Sequence, residues 1–509
     1  MTRRWRGLAA IAAAALALTG CSAKPGGSAA TNSSGPAGTL QLGMLAAPST
    51  LAAIDAYWSN EAPYLQAVYD SLLHMKPDGS HAPNLASEWS YNPEQTVLTL
   101  KLRSGITFSD GQPFNADAAA KNLLRFRDGT SPSANLFRSV ADVAAVDDKT
   151  VEIRLSERNP ALLNLLSQNG GLMQSPATFD NPDSKNNPVG TGPYTLNTAE
   201  TVIGTSYTFD AKANYWNPDN VHYKKIVMKV FEDPTALLNA IKGKQVNAAN
   251  LTSNQILEEV QAAGFGTVTG SVNFLGLLLW DRAGKLTPAL GDKRVRQAIN
   301  YAIDADAMFK AMTQGVGERT GQIFPPTSPG YDAKLDTYYT YNPDKARQLM
   351  AEAGYKDGFT LKVQNRLFPE SAHALYAQQL GAIGIKVEFT DPGANIFADM
   401  MGGKFSASVF MQGQDIVDWQ LSQFLLTKNA PWNPFKYEDS TVEKLTTVLR
   451  DGDKKEADEA AKELNRYIVE QAWFNPWYRP QATFVVDATT TATFQTGQVH
   501  PNLWTIQPR

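Results

Sequence analysis

Two apolar periods interleave along the chain, one of alternate residues and one of helical spacing, and together they predict mixed strands and helices. Segment 97–103 alternates strictly, with Leu98, Leu100 and Leu102 on one face and Thr99, Lys101 and Arg103 on the other, as a half-buried strand does. Ser109-Asp110-Gly111 predicts a turn, after which Asn115 or Asp117 caps a helix running to about Arg127. The first strand is expected in TLQLGMLA, near Leu40, where folding starts. Segment 62–75 has helical spacing, with Leu65, Val68, Tyr69, Leu72 and Leu73 on one side. Segment 150–155 alternates again, 160–168 reads as a short apolar helix, and 273–280 is a strongly apolar strand.

The later half is more regular. Asn342-Pro343 opens a helix that Gly354 closes, with Ala346, Leu349, Met350 and Ala353 along one face. Strand 359–364, helix 369–383 and strand 385–389 then form a βαβ unit, extended by helix 394–401 and strand 405–411. Such alternation implies parallel strands covered by helices. Segment 457–471 predicts an amphipathic helix with Ala460, Ala461, Leu464, Tyr467 and Ile468 inward, and with charged pairs such as Asp458–Lys462 outward.

Length changes this picture: 509 residues are too many for a single core, and two to three domains are expected. A net charge of −4 supplies no basic field, so nucleic acid is not an expected partner. The single cysteine, Cys21, excludes an internal disulfide or a thiolate metal site. Its setting is informative: Arg3, Arg4 and Arg6 precede an Ala/Leu-rich run at 8–18, and Leu18-Thr19-Gly20-Cys21 resembles a bacterial lipoprotein box. The run falls short of the roughly 20 apolar residues a bilayer span needs. Cleavage before Cys21 would take the net charge from −4 to −7 by removing those three arginines. Acyl chains on Cys21 would anchor the protein, each buried methylene contributing about 0.8 kcal/mol. Residues 22–39 are small, polar and Gly/Pro-rich, a flexible tether. The expected location is therefore extracytoplasmic, on the outer face of the cytoplasmic membrane or in a periplasm.

A converging catalytic set is not found. The five histidines (His74, His81, His222, His373, His500) are scattered, there is no G-x-S-x-G elbow, and no cysteine serves as nucleophile. NPVGTGPYTL at 187–196 lacks the Lys-Ser/Thr of a phosphate loop and reads as a rigid turn. Asp292 and Asp304 stand where helix caps belong. No cofactor or metal is implied. A binding reading fits better, because ligands of open α/β sheets sit beyond the carboxyl ends of the strands. Two loops qualify: 365–368 with Arg366, and 412–419 with Asp415, Asp418 and Trp419. Trp432 lies in the aromatic stretch that follows. A cation, two carboxylates and a Trp face suit a ligand with an amine, an acid and flat or apolar groups between.

One long motif ties these readings together. Leu85, Ala86, Trp89, Leu102, Arg103, Gly105, Phe108, Asp110, Gly111, Ala116 and Asp117 fill the signature of the peptide/nickel class of extracellular solute-binding proteins, family 5. The 187–196 turn and VRQAINYAID at 295–304 are similar to further hallmarks of that family, and the resemblance runs from about Leu40 to Pro480. It implies an α/β fold of two lobes, periplasmic-binding-protein-like (type II), with an extra subdomain in the N-lobe. The expected divisions are a lipoprotein signal at 1–20, tether 21–39, lobe I in 40–80 and 188–272, its extra subdomain 81–187, lobe II 273–481 and a return to lobe I at 482–509.

The resemblance further implies a monomeric, non-enzymatic, substrate-binding lipoprotein of an ABC importer, closing by a hinge over its ligand and docking on a permease with its ATPase subunits. Peptide-binding members use an Asp for the ligand amine, matched by Asp415 with Asp418 as the second acid of the spacing, and dipeptide-binding members use an Arg in the earlier loop, near the place of Arg366, for the carboxylate. The Trp that precedes that Asp in the family is missing here, and Trp419 replaces a usual Pro. A short peptide is the first expectation for the ligand and a β-linked oligosaccharide the second. Nickel chelates, opines or other small solutes come third, and a lipid-anchored hydrolase is a remote alternative.

Overall fold

In a computed structural model of the chain, residues 36–509 are described, apart from 56, 132, 252, 253, 272, 314, 315, 365–369, 392, 414–416 and 496. Cys21 and the tether to Gly35 lie outside the described residues. Local chemistry sets most elements. The alternating segment forms strand Val97–Leu102, and Asn115 caps helix Ala116–Arg127 by accepting from the Ala118 N–H at 3.0 Å. Asp292 caps Lys293–Ala302, and Asp304 accepts from the Ala307 N–H at 2.9 Å where helix Ala305–Thr313 begins. Helix Lys454–Glu470 starts earlier than its apolar stripe predicts, because Asp453 and Glu456 form a reciprocal capping box. Asp458 accordingly pairs back to Lys454 at 2.6 Å, not forward to Lys462 as the charge pattern predicts.

The predicted helix at 62–75 is the clearest correction. The helix is Trp58–Val68, and Leu73–Met75 is a strand. A distant turn ends it: the Gly192 N–H takes the Val68 carbonyl at 3.1 Å, and the Leu72 N–H, which another helical turn would direct to Val68, bonds the Gly171 carbonyl at 2.9 Å.

A sheet of 12 strands runs through the molecule in the order Ile385–Thr390, Phe359–Gln364, Ala407–Gly413, Asn273–Leu279, Phe474–Val486, Ala248–Asn250, Ala37–Met44, Tyr223–Val230, Ser206–Ala211, Tyr194–Leu196. Gly266–Ser271 and Gly317–Arg319 add to it by pairing with Phe474–Val486. That long strand belongs to both halves: residues 474–478 pair with Asn273–Leu279, and 481–486 pair with Gly266–Ser271. Its partners change at 478–481, which is where the chain also passes from Ser271 to Asn273.

Each half has its own core. Leu40, Leu42, Tyr64, Leu65, Phe209, Met228 and Phe484 close one, and Leu277, Val295, Ile299, Leu361, Tyr376, Val409 and Trp477 the other. A separate sheet of 4 antiparallel strands, in the order Ala86–Tyr91, Val97–Leu102, Thr150–Leu155, Val140–Asp147, is covered by Ala116–Arg127. Its core is continuous with that of helices Asp418–Leu425, Ser440–Asp451 and Lys454–Glu470 in the second half. Polar contacts reinforce the junction: Asn164 Nδ2 to Gln420 Oε1 at 3.0 Å, Arg158 Nη1 to the Asp451 carbonyl at 2.7 Å, and the ion pair Arg450–Glu157. The whole is a two-domain α/β fold of the periplasmic-binding-protein type.

Candidate functional site

Strand directions locate the crevice. Ala248–Asn250 runs antiparallel to Phe474–Val486 with Asn250 opposite Phe484, so its carboxyl end points at the 478–481 crossing. Ala37–Met44 is parallel to it and to Tyr223–Val230, so these three strands end toward the same place. In the other half, Ala407–Gly413 is antiparallel to Asn273–Leu279, and Gly413 stands opposite Asn273, the first residue past the crossing. Phe359–Gln364 is parallel to Ala407–Gly413 and so also points its carboxyl end toward the crossing. The carboxyl edges of both halves thus meet over the shared strand, the place where ligands of open α/β sheets bind. The two later strands are staggered, since Val363 pairs with Ala407. Gln364 therefore lies level with Ser408, about 16 Å short of Gly413 at about 3.3 Å per residue.

Arg366 and Asp415 lie outside the described residues. Asp418 opens helix Asp418–Leu425 and is buried, 6% exposed. Its carboxylate accepts from the Ser328 hydroxyl and, at 3.1 Å, from the Gly330 N–H. Trp419 is also buried, and lines an open groove of about 510 Å³ with Gln423, Thr427, Lys428, Thr446 and Arg450, and with Glu157 from the small-sheet side. Trp432 packs elsewhere, between Trp280 at a ring separation of 5.9 Å and Phe410 at 5.0 Å. Phe397, on the helix Ile396–Met401 that follows strand Ile385–Thr390, meets Phe410 edge-on at 6.0 Å and is 54% exposed. Four rings therefore step from the buried Trp280 out to Phe397. Among the described residues no group of three or more His, Cys, Asp or Glu could hold a metal ion, and no helix is long and apolar enough to cross a membrane.

Comparison with known proteins joins this geometry to a family. The model for bacterial extracellular solute-binding proteins, family 5 Middle, matches residues 81–433. The chain belongs to that family. The glutathione-binding protein GsiB of Salmonella typhi is 27% identical over 468 residues, covering 85% of this chain and 87% of that protein. Among solved structures, DppA of Helicobacter pylori in complex with the peptide STSA superposes with a TM-score of 0.80 at 19% identity, covering 93% of this chain and 98% of that one. AgaA of A. tumefaciens R10, in complex with agropinic acid, superposes with a TM-score of 0.79 at 22% identity, covering 93% and 99%. As a member of a family of extracellular solute-binding proteins, the chain binds a solute and works outside the cytoplasm.

Within this family 5 protein, Asp418 and Trp419 adjoin in one helix, while Trp432 sits in the ring stack. The loop reading of 412–419 overlooked that helix, whose backbone start at Val417 carries no side-chain cap to betray it. Phe397 and the 320–336 segment were overlooked as well. An exposed Phe has no signature in periodicity, and the polar groups of 320–336 find their partners only in three dimensions.

Burial raises the Asp418 carboxyl from its ordinary 3.8 to about 6, against the hydrogen bonds from Ser328 and Gly330 that favour its charged form. The unfolded chain therefore binds fewer protons than the native one between about pH 4 and 6, and stability attributable to Asp418 falls as pH rises through that window. Asp418→Asn removes this titration. The wild type is expected to lose about 2–3 kcal/mol relative to Asp418→Asn between pH 4 and pH 6.5, read by chemical denaturation at each pH.

Proposed function

We propose that the protein captures short peptides in the crevice between its two halves and delivers them to a membrane permease. Support comes first from the two parallel strands that end toward the crossing, whose next residues in the chain include Arg366 and Asp415. Asp415 would take the peptide amine and Arg366 the carboxylate, each as a charge-assisted contact in a desolvated cleft. Phe397, exposed at the outer end of the ring stack, would meet an apolar side chain. Two of the similar proteins point the same way, one named for glutathione and one solved with a peptide, while a third is solved with agropinic acid. Ligand held from both sides favours the closed state by its differential contacts, which is hinge closure in thermodynamic form. Asp418, by its burial, takes a supporting place beneath the site. Cys21 would carry the lipid that holds the protein at the membrane.

An oligosaccharide is the second reading, favoured by the polar groove beside Trp419. Thermal melts of the mature protein with di- to pentapeptides, cello- and xylo-oligosaccharides, and opines separate the readings. A bound ligand at about 100 times its Kd stabilises by about 2.7 kcal/mol. Peptides are expected to raise Tm; a rise with sugars or opines alone removes the peptide reading.

A further inference from the structure

A buried charge lies in the second half, beyond the end of strand Asn273–Leu279 that points away from the crossing. Arg282 follows that strand by three residues and is 2% exposed. Its guanidinium lies over the rings of Trp473 at 4.5 Å and Phe474 at 5.1 Å, where the shared strand Phe474–Val486 begins. Ring contacts of this kind use the flat face of the cation and leave its edge, with all the N–H groups, unanswered. At that edge Nε, Nη1 and Nη2 are all buried, and none of them meets a hydrogen-bond acceptor among the described residues. Trp280 Nε1, two residues earlier, is another buried donor with no acceptor.

The neighbouring acid is committed elsewhere. The Asp281 carboxylate accepts from the N–H groups of Lys285 at 2.7 Å, Leu286 at 2.6 Å and Thr287 at 2.7 Å. The charge that acts on Arg282 has its own sign instead. Burial and then Arg296 lower the Arg282 pKa from its ordinary 12.5 to about 9, against an opposing effect of Tyr437, so it stays a cation at neutral pH. Arg296 spends its Nη1 on the Leu290 and Gly291 carbonyls, at 2.8 and 3.2 Å, and its Nε on the Gln471 carbonyl at 3.1 Å. A buried cation is costly unless a negative charge and acceptors meet it.

We propose that the N–H edge of Arg282, walled by Trp473 and Phe474, holds a small inorganic monoanion of the halide class as a structural ion. One guanidinium charge calls for one negative charge. The walls are nearly closed, with Trp473 1% and Phe474 5% exposed, which suits a single atom better than a polyatomic anion. The place is separate from the crevice, because strand Asn273–Leu279 alone puts about 20 Å between them at about 3.3 Å per residue. The proposal therefore does not depend on which solute the crevice takes.

Urea unfolding of the mature protein reads the site, with sodium chloride replacing sodium gluconate at constant ionic strength. Release of one ion on unfolding makes the unfolding constant fall about tenfold for each tenfold rise in chloride above its Kd. Arg282→Met keeps bulk against both rings but not the charge, and should unfold alike in chloride and gluconate. In crystals soaked in sodium bromide, anomalous scattering should place a bromide within hydrogen-bonding reach of the Arg282 guanidinium. If Arg282→Met does not fold, the bromide position decides alone. An unfolding constant indifferent to chloride overturns the proposal, as does a chloride dependence that survives Arg282→Met, or an ordered water where the bromide is expected.

Discussion

Replacing Arg479 by Met is expected to destabilise the protein by about 3 kcal/mol or more, the scale for removing one partner of a buried ion pair. Arg479 is 1% exposed, pairs with Asp336, reaches the Phe324 carbonyl at 3.3 Å and lies over the Tyr331 ring at 5.4 Å. Met fills similar space but leaves Asp336 with only Thr320, Gln322 and Tyr331 as partners. The pH dependence follows with a definite sign. Burial alone would raise the Asp336 carboxyl, but the Tyr331 hydroxyl, Arg479, Gln322 and Thr320 outweigh it and hold it below its ordinary 3.8. Its contribution is present above about pH 4 and is lost as pH falls through the lowered native value. In Arg479→Met that gap narrows, so the variant's deficit should be largest near neutral pH and shrink in acid. Urea melts at pH 7 and pH 3.5 check both statements, and equal deficits at the two values would contradict them.

Gly190→Ala is the second large effect. A Cβ at 190 would stand 2.1 Å from the Val68 carbonyl oxygen and 2.4 Å from Tyr69 Cδ1. Gly192 is as close, 2.5 Å from the Tyr69 N. The collisions with the Val68 carbonyl and the Tyr69 N are with backbone and no side-chain rotation relieves them, so about 3 kcal/mol of overpacking cost is expected. Gly381, the exposed last residue of helix Glu370–Gly381, has nothing within 4 Å of its would-be Cβ. Ala there should leave Tm unchanged or raise it, which makes it the control in the same melting experiment.

That turn also marks how far the sequence could be read. NPVGTGPYTL was legible as a rigid turn from its Gly and Pro residues, but the glycines are there for close approach to helix Trp58–Val68 rather than for an unusual φ. The same contact ends the helix at Val68, and a hydrogen bond from a residue more than a hundred positions away leaves no mark on local periodicity. Caps at Asn115, Asp292 and Asn342 were legible because each donor lies within a few residues of its acceptor. The parallel pair Phe359–Gln364 and Ala407–Gly413 was legible from alternation; its stagger was not, because alternation tells which face a residue takes and not which residue stands opposite it.

The candidate site divides in the same way. Asp418 stands out in the sequence as a loop carboxylate, yet it opens a helix and is buried, held by Ser328 and Gly330 from a segment that carries no motif. Trp432, which the sequence places in an aromatic stretch, stands in the stack of rings that runs from Trp280 to the exposed Phe397. Residue types suggest a binding chemistry, while the fold decides which of the described candidates are buried and which are exposed.

The central claim is that the crevice takes peptides. Its most direct measurement is native mass spectrometry of the mature protein after incubation with an equimolar mixture of short peptides, cello- and xylo-oligosaccharides and opines. The account predicts a dominant complex whose added mass is that of one peptide. A dominant oligosaccharide or opine complex, with no peptide bound, would contradict it.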